Sequence, residues 1–115
     1  TWGAMVERCE HAVADSAVDA ELLDLRTLMP WDRTAVLASV RKTRRCLIVH
    51  EDNLTAGFGA EIAATLARDA FFDLDAPIER VTMPDVPSPH SPLLLDAVVP
   101  SVARIVHAIR TIASV

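Results

Sequence analysis

RCLIVHEDNLTAGFGAEIAATL, residues 45–66, reads as a strand, a polar loop and a helix in that order. Cys46-Leu47-Ile48-Val49 is short, apolar and rich in β-branched residues, as a strand buried on both faces requires. His50-Glu51-Asp52-Asn53 ends that run with polar groups that a core does not hold unpaired. Thr55-Ala56-Gly57-Phe58-Gly59 then forms a turn that opens a helix. Phe58, Ile62 and Leu66 recur every four residues and therefore share one helical face. In open parallel sheets, ligands and partners meet the loops at the carboxyl ends of strands. Function is therefore sought first in the loop between Val49 and Phe58.

On the carboxyl side, the helix is expected to run to about Phe71 or Phe72. Asp73-Leu74-Asp75-Ala76-Pro77 is a turn, with a proline that fixes φ and removes a donor. Ile78 to Met83 alternates apolar and polar and reads as a second strand. Five of the seven prolines fall in residues 84–100, so this segment should lie extended across the surface, with one short turn at Leu93–Ala97. Residues 101–113 close as a helix with Val102, Ile105, Val106, Ile109 and Ile112 on one face, and His107 beside it. Pro100 and Ser101 mark its start.

On the amino side, Arg41, Lys42, Arg44 and Arg45 sit where a helix ends, and cations are favoured at a helix carboxyl terminus. Asp32, after Pro30 and Trp31, is the N-cap expected for that helix. Val36, Leu37 and Val40 give it an apolar stripe. Residues 20–26 (AELLDLR) read as a further strand and residues 4–17 as a helix carrying Val6, Cys9, Val13 and Ala17 inward. His11 falls on its polar face. Strands alternating with helices give an α/β layered domain with a mostly parallel sheet.

Composition narrows the function. The chain's 115 residues suffice for one domain, 1–115, and not for two. Thr1 followed at once by a helix entrance at Gly3 reads as a fragment of a longer chain. Hydrophobic residues are 51%, mean hydropathy is +0.29 and formal net charge is −5. No run approaches the roughly 20 apolar residues of a membrane span, and the single basic cluster is too small for a phosphate backbone. Neither nucleic acid nor membrane is an expected partner. The apolar surplus points to an interface with another domain or subunit. Cys9 and Cys46 lack metal-ligand spacing and suit a reducing compartment.

Candidate chemistry is thin. His50, Glu51 and Asp52 are adjacent, so on an extended backbone their side chains diverge rather than converge. His50 reads as a hydrogen-bonded strand-end residue before it reads as a general base. His11, His50, His90 and His107 share no metal-ligand spacing. Gly57-Phe58-Gly59 at a helix entrance has free N–H groups for an anion. However, Ile62 stands where a dinucleotide fingerprint needs its third glycine, and Glu61 repels anions. The glycines read as a packing and interface element.

The ordered motifs DLRTLMPWD (24–32), SVRKTRRCLIVHED (39–52), GFGAEIAA (57–64) and LDAPIERVTMPDVPSPH (74–90), with a helix closing at Val115, resemble a known family. It is the C-terminal domain of the β subunit of thiamine-diphosphate-dependent 2-oxoacid dehydrogenases, of pyruvate or branched-chain type. The same module ends transketolase. The resemblance implies a three-layer α/β/α domain with a mixed, mostly parallel five-stranded sheet, one strand of which precedes Thr1. It implies that thiamine diphosphate and Mg belong to the parent enzyme and are not bound by this domain. The domain's work is then assembly: contact with the α part, with a second β subunit, and with the subunit-binding domain of the acyltransferase core. Asp75, in LDAP, and Val115, at the terminus, match the family's docking positions. His50, Glu51, Gly57, Phe58 and Gly59 form the interface and packing loop. WD at 31–32 and HED at 50–52 lean to the branched-chain type. The cytoplasm of a bacterium, or the mitochondrial matrix of a eukaryote, is the expected location. Two other readings share the features: another transketolase-group enzyme such as a deoxyxylulose-phosphate synthase, and a small-anion regulatory module at Thr55–Gly59.

Overall fold

In the computed structural model, which describes all 115 residues, five α-helices pack on two parallel strands. The helices are α1 (Met5–Ser16), α2 (Arg33–Thr43), α3 (Phe58–Asp69), α4 (Pro92–Val98) and α5 (Val102–Ala113). Strand β1 (Leu47–Asn53) pairs with β2 (Glu79–Met83), Leu47 opposite Glu79 and Val49 opposite Val81. Period-two alternation divides the core between the two faces of the sheet. Val49, Val81 and Met83 pack with Met5, Cys9, Ile105 and Ile109 of α1 and α5. Ile48 packs the other way, with Val36, Val40, Ile62 and Leu66 of α2 and α3. The three-layer α/β/α arrangement follows from those two clusters.

Two helix starts form as the sequence dictates. The Asp32 carboxylate accepts from Ala35 N–H at 2.9 Å, and Ser101 Oγ accepts from Arg104 N–H at 3.2 Å. Pro92–Ala113 is apolar enough in composition to cross a bilayer. Its backbone is nevertheless extended at Val99 and Ser101, which divides it into helices of 7 and 12 residues. Neither reaches the roughly 20 residues a span needs, and α5 buries Ile105, Ile109 and Ile112 against the protein.

On four points the structure differs from expectation. Within this chain the sheet has two strands, where the resemblance implies five. Residues 20–26 do not join it, and Arg26 lies in the left-handed region at φ 56°. Their Leu22 packs into the α1/α5 core while Leu23 and Leu25 pack into the α2/α3 core, which is strand-like alternation. Yet the segment's backbone partner is Thr1: Leu25 N–H donates to Thr1 O at 3.0 Å, and the Thr1 amine donates to Leu23 O at 3.1 Å. Between the segment and β1 lies an apolar slot of 390 Å³, lined among others by Val18, Leu22, Leu23, Cys46, Leu47 and Val49. The third difference is β1, which continues through the polar residues to Asn53, with an irregular register after Val49. The fourth is α3, which stops at Asp69; Phe71–Asp73 form a separate 3₁₀ turn.

Candidate functional site

β1 separates the residues singled out by sequence into two groups. His50, Glu51, Gly57, Phe58 and Gly59 lie toward its carboxyl end. Asp75 and Val115 lie beyond its amino end, each bound to one of the two arginines that precede the strand.

At the carboxyl end, His50 is fully buried. Its ring stacks on Trp2, with centroids 5.0 Å apart and planes 10° from parallel, and Trp2 meets Phe58 edge-on. Neither ring nitrogen has a hydrogen-bond partner, so the expected strand-end hydrogen bond is not made. Burial holds the imidazole below its ordinary pKa, and Arg80 and the amino terminus add to this while Asp52 opposes it. Gly59 is required by this ring, and Gly57 chiefly by the Asn53 carbonyl. A Cβ on Gly59 would sit 2.3 Å from His50 Nε2, and one on Gly57 would sit 2.1 Å from Asn53 O. Only a missing side chain lets α3 approach β1 this closely. Glu51 is exposed and takes no part in the cluster.

These residues do not make an anion or metal site. Thr55 already gives its N–H and its hydroxyl to Asp85, at 2.9 and 2.6 Å, which holds the Asp85 carboxyl below its usual range. The surface cleft beside Gly57 carries the carboxylates of Asp52 and Glu61 against one guanidinium, Arg33, which is itself paired with Asp69. No three His, Cys, Asp or Glu side chains converge as a metal needs. The thiols are equally inert: burial pushes Cys46 up to about 11 and raises Cys9, so neither offers a thiolate near neutrality.

At the amino end, two consecutive arginines organise the edge. Arg44 ends α2 in the left-handed region, φ 62°, and caps it with its N–H on Val40 O. That position ordinarily goes to glycine. Here the side chain has a use: Arg44 Nε and Nη2 donate to the two Asp75 oxygens, both at 2.8 Å. Asp75 N–H also donates to Arg44 O at 2.9 Å. The bidentate contact is the main reason the Asp75 carboxyl stays below its usual range. Arg45 turns the other way, with Nε on Ile112 O at 2.8 Å and Nη2 on Val115 O at 2.6 Å. The carboxyl end of α5 is thereby tied to the start of β1. Asp75 is exposed and Arg44 nearly half exposed, 43% and 46% at the side chain, so their pairing presents charge to solvent more than it stabilises the fold.

The sequence points to Asp75 and Val115 but gives the basic cluster only a helix-end reading. Arg41 and Lys42 fit that reading, lying in the last turn of α2. Arg44 and Arg45 do not, because the left-handed residue turns the chain and sends their side chains to different partners. A charged residue where glycine is usual, next to a second arginine, is the signal that identifies them.

Residues 1–105 match the family model described as "Transketolase, C-terminal domain". Among curated proteins, the chain is 47% identical over 91 residues to "2-oxoisovalerate dehydrogenase subunit beta" of Pseudomonas aeruginosa, covering 79% of this chain and 26% of that protein. It is 42% identical over 113 residues to "Acetoin:2,6-dichlorophenolindophenol oxidoreductase subunit beta" of Cupriavidus necator, covering 96% and 33%. It is 41% identical over 102 residues to "Pyruvate dehydrogenase E1 component subunit beta" of Rickettsia felis, covering 89% and 31%. The chain thus spans between a quarter and a third of the length of these relatives. On the family match across nearly its whole length, the chain belongs to the transketolase C-terminal domain family.

Proposed function

We propose that this chain is the assembly domain of the β subunit of a thiamine-diphosphate-dependent 2-oxoacid dehydrogenase, and that it docks the acyltransferase core through Asp75 and Val115. The observation that carries the reading is the amino edge of the sheet. Arg44 and Arg45, adjacent in sequence, bind Asp75 and Val115 respectively, and both of those residues are exposed. The carboxyl edge, where an open sheet ordinarily takes its ligands, is filled by the Trp2–His50–Phe58 cluster and carries no catalytic set.

The relatives support a division of labour. Three proteins named for different substrates share this domain at 41–47% identity, as expected if substrate choice lies in the rest of the polypeptide. Of the three, the 2-oxoisovalerate type has the highest identity, which favours a branched-chain 2-oxoacid. Thiamine diphosphate, with Mg, supplies decarboxylation chemistry in the parent enzyme; the residues of this domain take no step in it. The α part and a second β subunit are the other partners in this reading, in a bacterial cytoplasm or a mitochondrial matrix.

The slot beside β1 is consistent with a sheet wider than the two strands of this chain. It is apolar and lies between β1 and residues 20–26, so a further strand would fit it.

The test is Asp75→Ala in the whole enzyme. Surface plasmon resonance against the acyltransferase's subunit-binding domain should show affinity reduced about tenfold or more. Unchanged affinity would reduce Asp75 to a turn residue.

A further inference from the structure

Beside the docking edge the protein exposes two aromatic rings that its own fold does not use. Ala70 is buried at the end of α3, and the chain then turns outward through Phe71 and Phe72, which are 63% and 92% exposed. The rings meet edge-on with centroids 5.2 Å apart. Their backbone is fixed: Asp73 N–H donates to Ala70 O at 2.9 Å, and Arg41 reaches from α2 to Asp73 Oδ2 at 3.2 Å and to Asp69 O at 3.4 Å. The pair is therefore presented on a tethered turn, so little ordering remains to oppose binding. A large apolar surface rimmed by charge marks an interaction site, and aromatic anchors inside a polar rim carry most of the energy at interfaces.

We infer that Phe71 and Phe72 are the apolar anchor of the acyltransferase docking surface, receiving an aliphatic or aromatic side chain of the same partner whose basic group meets Asp75. The inference rests on the docking reading above. Geometry selects the occupant. A stable interface covers about 800 Å² on each partner, a patch roughly 16 Å in radius. Phe72 lies three residues from Asp75 and Phe71 four, at most about 14 Å along an extended chain. A partner centred on Asp75 therefore covers both rings. The ionic contact also needs such an anchor. Arg44 already occupies Asp75, the pair is half in solvent, and salt screens exposed pairs.

The test uses the intact enzyme with all its subunits, wild type, Asp75→Ala, and Phe71→Ala/Phe72→Ala. Calorimetry measures binding of the acyltransferase's subunit-binding domain at about 0.05 M and about 0.5 M salt. Because the rings are exposed, the double variant should melt as wild type does. It should bind about tenfold or more weakly, by the same factor at both salts, while the Asp75→Ala deficit shrinks at high salt. Wild-type affinity in the double variant, with Asp75→Ala weakened, overturns the anchor and leaves the docking reading intact. Wild-type affinity in both variants removes both. Loss in the double variant alone keeps the anchor and removes the ionic half of docking. If size-exclusion chromatography shows the double variant separating the enzyme's own subunits, the rings belong to that contact and the inference fails.

Discussion

Arg44 and Asp75 are joined three times, by two side-chain hydrogen bonds of 2.8 Å and by Asp75 N–H to Arg44 O at 2.9 Å. One residue thus fixes both the place and the ionisation of the carboxylate on which docking is argued to depend. The hydrogen bond from Arg44 is the leading reason the Asp75 carboxyl is held below its ordinary pKa. A depressed carboxylate keeps its contribution above the unfolded pKa and loses it as pH falls through the folded one. Docking should therefore be flat in pH above the ordinary carboxylate range. It should weaken only at pH values below that range. In Arg44→Gln the weakening should begin at higher pH. Pull-down of the acyltransferase subunit-binding domain across an acid series checks this; identical profiles for wild type and Arg44→Gln would contradict it.

His50 gives a pH dependence of the same sign in a higher range. Buried, stacked on Trp2 and without a partner on either nitrogen, it is held neutral, with its pKa lowered chiefly by burial. The unfolded chain takes up the proton first as pH falls below about 6.5. Stability is therefore fully present above that pH and is lost below it, toward the folded pKa. One proton gives a slope of at most about 1.4 kcal/mol per pH unit. Urea midpoints between pH 7 and 5 should fall in wild type and fall less in His50→Phe, which keeps a ring against Trp2.

Gly59→Ala drives a methyl to 2.3 Å from His50 Nε2 and 3.2 Å from Ile48 Cγ2. Neither neighbour has free space, since both are buried. Overpacking of this kind costs about 1–3 kcal/mol. His50→Ala opens room for the methyl, so the double variant should be less destabilised than the sum of the singles. Strict additivity in chemical denaturation would show that the ring is not what requires glycine.

Leu66 is fully buried between α3 and the sheet, and Leu66→Ala should cost about 2–5 kcal/mol. Leu93, 85% exposed on α4, should change stability by less than about 0.5 kcal/mol when replaced by alanine. Melting curves of the two variants separate core from surface.

Much of this architecture is readable in the sequence, and the failures have physical causes. The 3.6-residue periodicity of Val102–Ile112 and the Asp32 cap identify their helices because both are local. β1 is underestimated because His50–Asn53 are polar. What extends the strand is its pairing with β2, which continues to Asn53 opposite Met83, and His50 is buried by Trp2, 48 positions earlier in sequence. Residues 20–26 have strand-like alternation, but a ladder also needs a neighbour, and side-chain pattern does not report one. On the site, Asp75 was legible through the LDAP motif. Its bond to Arg44, 31 residues away, was not, since no local pattern encodes a contact at that separation.

In the proposed function this domain assembles the complex and takes no catalytic step. The most direct measurement compares two activities of the whole enzyme carrying Asp75→Ala: 2-oxoacid decarboxylation with an artificial electron acceptor, and acyl transfer to the lipoyl-bearing acyltransferase core. Decarboxylation at the wild-type rate with transfer at subsaturating core reduced about tenfold or more is the predicted result. Equal loss of both activities, or loss of neither, would contradict it.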